Sequence, residues 1–161
     1  MKTIKAIISL ALSAVMLLSF AACGKKDKDD MMSNGSGTAA VKYKDGEYKA
    51  TANSYDDKGY KSTVKVVVKD GAIYSVDCDA EHKDEGTKKA HSENGKYDMK
   101  TAGAQHDWHE EIALFEKHIT EKGIDSVKLD SNGKTDTITG CTIAVKEYVD
   151  LIKKAMEKAK A

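Results

Sequence analysis

The chain has 161 residues and a formal net charge of zero, with 32% charged residues, 6% aromatic residues and no proline. No basic patch stands out along it, which argues against a nucleic-acid partner. A polar composition with few aromatic residues predicts a single small domain with a modest core, once the N-terminal segments are set aside.

The first 22 residues have the pattern of an export signal. Lys2 and Lys5 precede an apolar stretch over residues 7–18, which is too short and wrongly flanked for a transmembrane helix. The Phe-Ala-Ala-Cys sequence that closes this stretch, ending at Cys23, resembles a bacterial lipobox. The resemblance implies a lipid on the Cys23 sulfur and cleavage before that residue. An ordinary cleaved signal with an incidental cysteine is the alternative.

Residues 23–40 predict a lipid-anchored, flexible tether. They are charged at first, then rich in serine and glycine, and they show no hydrophobic periodicity. Residues 41–161 remain, and they have the size of one domain with one core.

A β-hairpin is the clearest structural feature of this domain. Three valines alternate with more polar residues on its first strand: Val64, Val66 and Val68. Asp70 and Gly71 then have the composition of a two-residue type I′ turn. Three residues of the return strand are expected to share one face: Tyr74, Val76 and Cys78.

Two segments flank the hairpin. Residues 43–55 predict another strand, because Tyr48, Ala50 and Ala52 alternate with polar residues. Residues 79–106 are polar and aperiodic and predict one long loop. A loop of this length inside a small domain is more often functional than idle.

Two helices are predicted in the C-terminal half. Asp107 begins the first, with Glu110 in capping-box spacing, and Gly123 ends it. Its apolar residues recur at helical spacing: Trp108, Ile112, Phe115 and Ile119. The last helix has one apolar face: Val145, Tyr148, Val149, Ile152 and Met156.

A short strand is also predicted near residues 126–129. Strands early in the chain and helices later indicate the α+β class. The expected architecture is an antiparallel sheet with a β-hairpin, packed against two helices.

Residues 136–142, D-T-I-T-G-C-T, lead from a polar run into the last helix. Thr142 is predicted to be the N-cap, a contact that stabilises a helix by about 1 kcal/mol. The same position would suit a phosphate, because the N–H groups at a helix start are unpaired and the dipole is positive there. Gly140 lacks a Cβ and would allow close approach. These residues alone do not decide between a cap and a phosphate site.

The same seven residues resemble the Asp-x-x-Ser/Thr-Gly-Ala-Thr signature of the FMN-binding domain family. That family includes flavin subunits of sodium-pumping NADH:quinone reductases and many bacterial surface lipoproteins. The stretches D-G-E-Y-K-A, K-V-V-V-K-D-G-A-I and W-H-E-E-I-A-L-F-E follow in family order. The resemblance therefore covers roughly residues 43–156.

The resemblance implies specific roles. Thr142 would be the residue to which a flavin transferase attaches FMN, taken from FAD, through its phosphate. Four further residues belong to the motif: Asp136, Thr139, Gly140 and Cys141, the last standing where the family usually has alanine. Three residues echo the family's flavin-lining Glu-Thr-Pro-Gly stretch: Glu85, Gly86 and Thr87.

The function that the resemblance implies is electron relay by a flavoprotein anchored on the extracytoplasmic face of the cell membrane. Electrons would come from a membrane redox complex or a quinone-linked donor and pass to external acceptors. FMN accepts two electrons and releases them singly, while the protein supplies position and tuning. We expect an electron carrier rather than a stand-alone enzyme.

Other interpretations compete with this one. His106 and His109 have a spacing that can place two imidazoles on a Zn or Cu ion, although histidines beside a helix cap are often only solvated. Cys141 could be a redox thiol, or could pair with Cys78, but nothing in the spacing requires a disulfide. The alternative functions are a metal- or small-ligand-binding surface lipoprotein without flavin, and a lipoprotein whose flavin site has decayed.

Overall fold

The computed structural model describes residues 43–160, so the predicted signal, the tether and Cys23 lie outside the described residues. Three strands form one antiparallel sheet in chain order: β1 (Gly46–Thr51), β2 (Tyr60–Lys69) and β3 (Ala72–His82). Three helices follow: α1 (Lys88–Glu93), α2 (Trp108–Lys122) and α3 (Lys146–Lys158). The predicted α+β class is confirmed.

The hairpin of β2 and β3 has the predicted turn. Asp70 and Gly71 have φ angles of 54° and 78°, both positive as a type I′ turn demands, and Lys69 pairs with Ala72 across it. The three alternating valines of β2 are buried, as expected. This strand therefore presents one apolar face to the helices.

Tyr74 corrects one expectation about β3. The strand pairing is irregular here, because Val68 pairs with Ile73 and Val67 pairs with Ser75. Tyr74 is the extra residue of this bulge and is 59% exposed, whereas Val76 and Cys78 are buried. A bulge interrupts the two-residue alternation on which the prediction relied.

The segment predicted as one long loop is partly regular. Strand β3 continues to His82, and α1 occupies Lys88–Glu93 with Thr87 as its N-cap. A helix of six residues is too short to show hydrophobic periodicity, which is why the sequence pattern did not reveal it.

Helix α2 begins and ends as predicted. The Glu110 carboxylate accepts a hydrogen bond from the Asp107 N–H at 2.8 Å in a capping box, and Gly123 is the C-cap. Its four predicted apolar residues are at most 3% exposed. Helix α2 packs on β3, and α3 packs on β2 and β1, so both predicted helices cover the sheet.

The strand predicted near residues 126–129 is wrong. Ile124–Ser126 forms a 3₁₀ turn, and no regular element follows it until α3. The Ser126 hydroxyl donates to the Gly123 carbonyl at 2.6 Å, which favours the tight turn. The Lys128 N–H bonds the Thr137 hydroxyl at 3.2 Å instead of a neighbouring strand.

Between residues 43 and 160, no helix is long and apolar enough to cross a bilayer.

Candidate functional site

The motif lies in an irregular segment, residues 130–145, which contains neither helix nor strand. Asp130 closes its first turn, because the Asp130 side chain accepts from the Lys134 N–H at 2.8 Å. This turn presents the Gly133 carbonyl to the Val145 and Lys146 N–H groups, at 2.8 and 3.1 Å. A backbone carbonyl therefore holds the chain where α3 begins.

Thr142 is not the N-cap of the last helix, contrary to the prediction. Helix α3 begins at Lys146, with Val145 as the N-cap. The N–H groups of Thr142 and Ile143 instead donate to Oε2 of Glu111, at 2.5 and 3.0 Å. A side chain from α2 therefore satisfies these two backbone donors, which lie four and three residues before α3 begins.

The Thr142 hydroxyl is held by the same carboxylate. It lies 3.0 Å from Oε1 and 3.1 Å from Oε2 of Glu111. Glu111 is completely buried, whereas Thr142 is exposed. The buried Glu111 carboxylate therefore orients the hydroxyl of an exposed residue.

Sequence reasoning missed Glu111, although a signal was present. It follows Trp108 by three residues and precedes Phe115 by four, so it lies on the apolar face of α2. A glutamate in that stripe must be buried, and a buried carboxylate needs hydrogen-bond donors. The donors are the amide and the hydroxyl of Thr142, the last motif residue, and the amide of Ile143, which follows it.

A cleft of about 380 Å³ opens beside Thr142. Its wall includes charged, aromatic and apolar side chains: Lys88, Tyr97, Met99, Trp108, Lys134 and Ile143. The Lys88 ammonium lies 4.6 Å from the Tyr97 ring centre and 5.0 Å from that of Trp108, which are cation–π distances. A lysine ammonium and two aromatic rings therefore lie close together in the cleft beside Thr142.

This cleft suits FMN. Its volume is in the range of small-molecule sites, about 300–1,000 Å³. Lys88 and Lys134 could balance the charge of a phosphate, and the half-buried Tyr97 ring offers surface for a flat heteroaromatic ring. A neighbouring cleft of about 440 Å³ shares Lys88 and Trp108 with it and so extends the available surface.

The remaining motif residues do not line the cleft beside Thr142. Asp136 lines a separate cleft of about 370 Å³ with Thr137, and Thr139 is exposed. Gly140 has a φ of 83°, and a Cβ there would lie 3.1 Å from Cδ1 of Leu114. The positive φ favours glycine at this position, and a larger residue would also press on the Leu114 side chain of α2.

Cys141 is a core residue. It is 4% exposed, and burial, together with the nearby Glu111 carboxylate, raises the pKa of its thiol to about 11. The thiol is therefore protonated at neutral pH, which opposes the redox interpretation. Cys78 is also buried, and the two cysteines are not bonded to each other.

The stretch of residues 85–87 is placed beside the site rather than in its wall. Glu85 is exposed. Gly86 has a φ of 77°, and a Cβ there would lie 2.8 Å from Nε2 of His91, so only glycine fits. Thr87 caps α1. The residue that reaches the cleft is the next one, Lys88.

The two histidines considered as metal ligands contact different side chains. Nδ1 of His106 is 4.0 Å from Oε2 of Glu110, and Nδ1 of His109 is 2.9 Å from the Ser92 hydroxyl. Within residues 43–160, no three His, Cys, Asp or Glu side chains are grouped so that they could hold a metal ion. No observation in this part of the chain favours the metal interpretation.

Comparison with known proteins found a matching family and similar solved structures. The model of the FMN-binding domain family matches residues 59–157. A protein from Clostridium thermocellum, solved by NMR, is 42% identical with a TM-score of 0.56, and the match covers 73% of this chain and 93% of that one. A Clostridium perfringens protein, solved by crystallography, is 26% identical, also with a TM-score of 0.56. This match covers 73% of this chain and 88% of that one.

No curated protein matches the chain. The family match extends from β2 to the end of α3 and includes Lys88, Glu111 and Thr142. FMN is the cofactor that this match indicates, and the residues of the cleft fit it. The chain belongs to the FMN-binding domain family.

Proposed function

We propose that this chain is a membrane-anchored, extracytoplasmic flavoprotein that carries FMN as a phosphoester on Thr142 and relays electrons between membrane redox enzymes and external acceptors. One observation carries the proposal. Thr142 is an exposed residue at the edge of a cleft that contains two lysines and two aromatic rings, and its hydroxyl is held by the buried Glu111.

The residues around the cleft have separable tasks in this proposal. Lys88 and Lys134 would balance the phosphate charge, while Tyr97 would exclude water from one side of the ring. When bound, FMN supplies both one-electron and two-electron transfer. The protein's part is to hold and orient the cofactor for exchange with partners.

A covalent link would serve an exported protein well. Outside the cytoplasm a dissociated cofactor is diluted into the surroundings, whereas a phosphoester on Thr142 would retain it. The lipid expected on Cys23 would keep the protein itself at the membrane, with residues 24–40 as the spacer. Both linkages would confine the same electron-transfer reaction to the cell surface.

The direct test is the intact mass of the full chain co-expressed with a flavin transferase. We expect a mass increase of one FMN less one water, and flavin fluorescence that survives a denaturing gel. Thr142→Ala should abolish both signals, because it removes the acceptor hydroxyl. The matched control Thr137→Ala removes another motif hydroxyl and should keep both. An unmodified wild-type mass under these conditions would contradict covalent attachment.

A further inference from the structure

We infer that Glu111 is the group that orients the Thr142 hydroxyl and takes its proton when FMN is attached, an inference that rests on the proposed function. It concerns a residue outside the seven-residue motif, 31 positions earlier in the chain. The cofactor class is a flavin dinucleotide, delivered by a transferase, and the reaction is phosphoryl transfer to a hydroxyl.

The hydrogen-bond directions carry the first step. In both contacts the Thr142 hydroxyl is the donor and the Glu111 carboxylate is the acceptor. The lone pairs of the Thr142 oxygen are then turned away from the buried carboxylate. Because Thr142 is exposed and lines the cleft, a dinucleotide bound there would have access to this oxygen. This is the orientation that an attacking oxygen needs.

The second step concerns what holds Glu111 in place. The Thr142 and Ile143 amides both donate to Oε2, so backbone groups alone fix the carboxylate at the motif. Fastening the loop would need no more than these two bonds. The additional contact, between both carboxylate oxygens and the hydroxyl, provides a proton acceptor at hydrogen-bond distance from the reacting atom.

The neighbouring Glu110 shows how different this environment is. Its side chain is 37% exposed, bonds the Lys100 ammonium at 2.6 Å and caps α2. Glu111 is completely buried, directed into the protein, and held by the motif. Two adjacent glutamates therefore have separate tasks, one at the helix cap and one at the hydroxyl.

The attachment step balances without an oxidant or reductant. Glu111 takes the hydroxyl proton as the Thr142 oxygen bonds the phosphorus on the flavin side of FAD. The bond from that phosphorus to the bridging oxygen breaks, and AMP leaves with the oxygen. The proton is then released to solvent. General-base assistance of this kind typically accelerates a reaction by about 10²–10⁴-fold.

The test measures attachment kinetics with the purified, unmodified protein, FAD and a flavin transferase, followed by intact mass. Glu111→Gln keeps the size and one acceptor oxygen but removes the proton acceptor. We expect kcat for the protein substrate to fall about 100-fold or more, with KM little changed. The control Glu121→Gln makes the same change on the exposed side of α2 and should keep the wild-type rate.

The outcomes separate the inference from the proposed function. If the wild type is modified and a folded Glu111→Gln variant is modified equally fast, or is changed only in KM, the inference is overturned while the proposed function stands. If the wild type is not modified, both fall. If Glu111→Gln does not fold, a folded Glu111→Asp decides, because its carboxylate is one methylene farther from the hydroxyl. If kcat of the Glu111→Asp variant falls tenfold or more, the inference is supported. If its kcat equals that of the wild type, the inference is overturned.

Discussion

The β2–β3 hairpin and the irregular segment of residues 130–145 are held by opposite kinds of interaction. In the hairpin, pairing begins between Lys69 and Ala72 and continues along both strands to Tyr60 and His82. In the irregular segment, the motif amides bond Glu111, which is 31 and 32 positions away. The hairpin thus follows from neighbouring residues, whereas the motif takes its shape from another part of the fold.

This difference has an energetic consequence. The hairpin distributes its stability over many backbone pairs and a row of buried valines. The motif depends on a few contacts, chiefly the Glu111 carboxylate and the Gly133 carbonyl. Single substitutions should therefore lower the free energy of unfolding in both regions, but only those at the motif contacts should also open the backbone locally.

The largest effect is expected from Glu111→Ala. It leaves the Thr142 and Ile143 amides without their acceptor and should reduce the free energy of unfolding by about 3 kcal/mol. The hairpin comparison is Val66→Ala, which empties part of the core and should cost about 2 kcal/mol. Urea unfolding gives both values.

Amide hydrogen exchange then separates the two variants. Glu111→Ala should accelerate exchange most strongly at residues 142–143, whereas Val66→Ala should accelerate it at all slowly exchanging amides. A Glu111→Ala variant whose exchange changes equally in motif and hairpin would remove the distinction between the two regions.

An intermediate effect is expected at Gly133. Its φ is 74°, and a Cβ there would lie 2.8 Å from the Cβ of Lys146, at the start of α3. Gly95 has the same φ with nothing within 4 Å, so Gly95→Ala measures the backbone cost alone, about 1 kcal/mol. Gly133→Ala should cost about 2 kcal/mol more, because the start of α3 must move. Equal losses in urea unfolding would mean that this contact relaxes freely.

The smallest effect is a pH dependence at the start of α2. A hydrogen bond from Lys100, followed by one from the Asp107 N–H, lowers the pKa of Glu110 from 4.5 to about 2. Because the folded-state pKa is the lower one, the stabilisation is present above pH 4.5 and is lost as the pH falls towards 2. The effect should be small because the side chain is exposed to solvent.

Urea midpoints of the wild type and Glu110→Gln, measured from pH 6 to pH 2, test this expectation. The wild type should be the more stable at pH 6, and the difference should shrink to zero as Glu110 is protonated. A difference that stays constant with pH would show that the contribution of Glu110 is not electrostatic.

Several elements were predictable because their signals are local. The Asp70-Gly71 turn demands positive φ angles, and Asp-Gly supplies them. The Asp107–Glu110 capping box and the apolar face of α2 are likewise written within a few residues of one another. The family resemblance identified Thr142 from a stretch of seven residues. The α+β class followed from the order of these elements.

The errors arose where distant residues compete with local preference. Tyr74 was expected to share a face with Val76 and Cys78, but a bulge opposite Val67 and Val68 exposes it. Residues 126–129 have strand composition but no neighbouring strand, and the Thr137 hydroxyl takes the Lys128 N–H instead. In each case the sequence describes a preference, and the available partner decides the outcome.

By itself, the sequence determined the hairpin, the two large helices and the family resemblance, from which Thr142 is proposed as the acceptor. Only the tertiary structure decided that Thr142 precedes the helix instead of capping it, and that Lys88 and Lys134 meet beside it. It also decided which groups Glu111 binds. The physical reason is that a buried carboxylate must find donors, and which donors come within reach depends on how α2 packs against the motif.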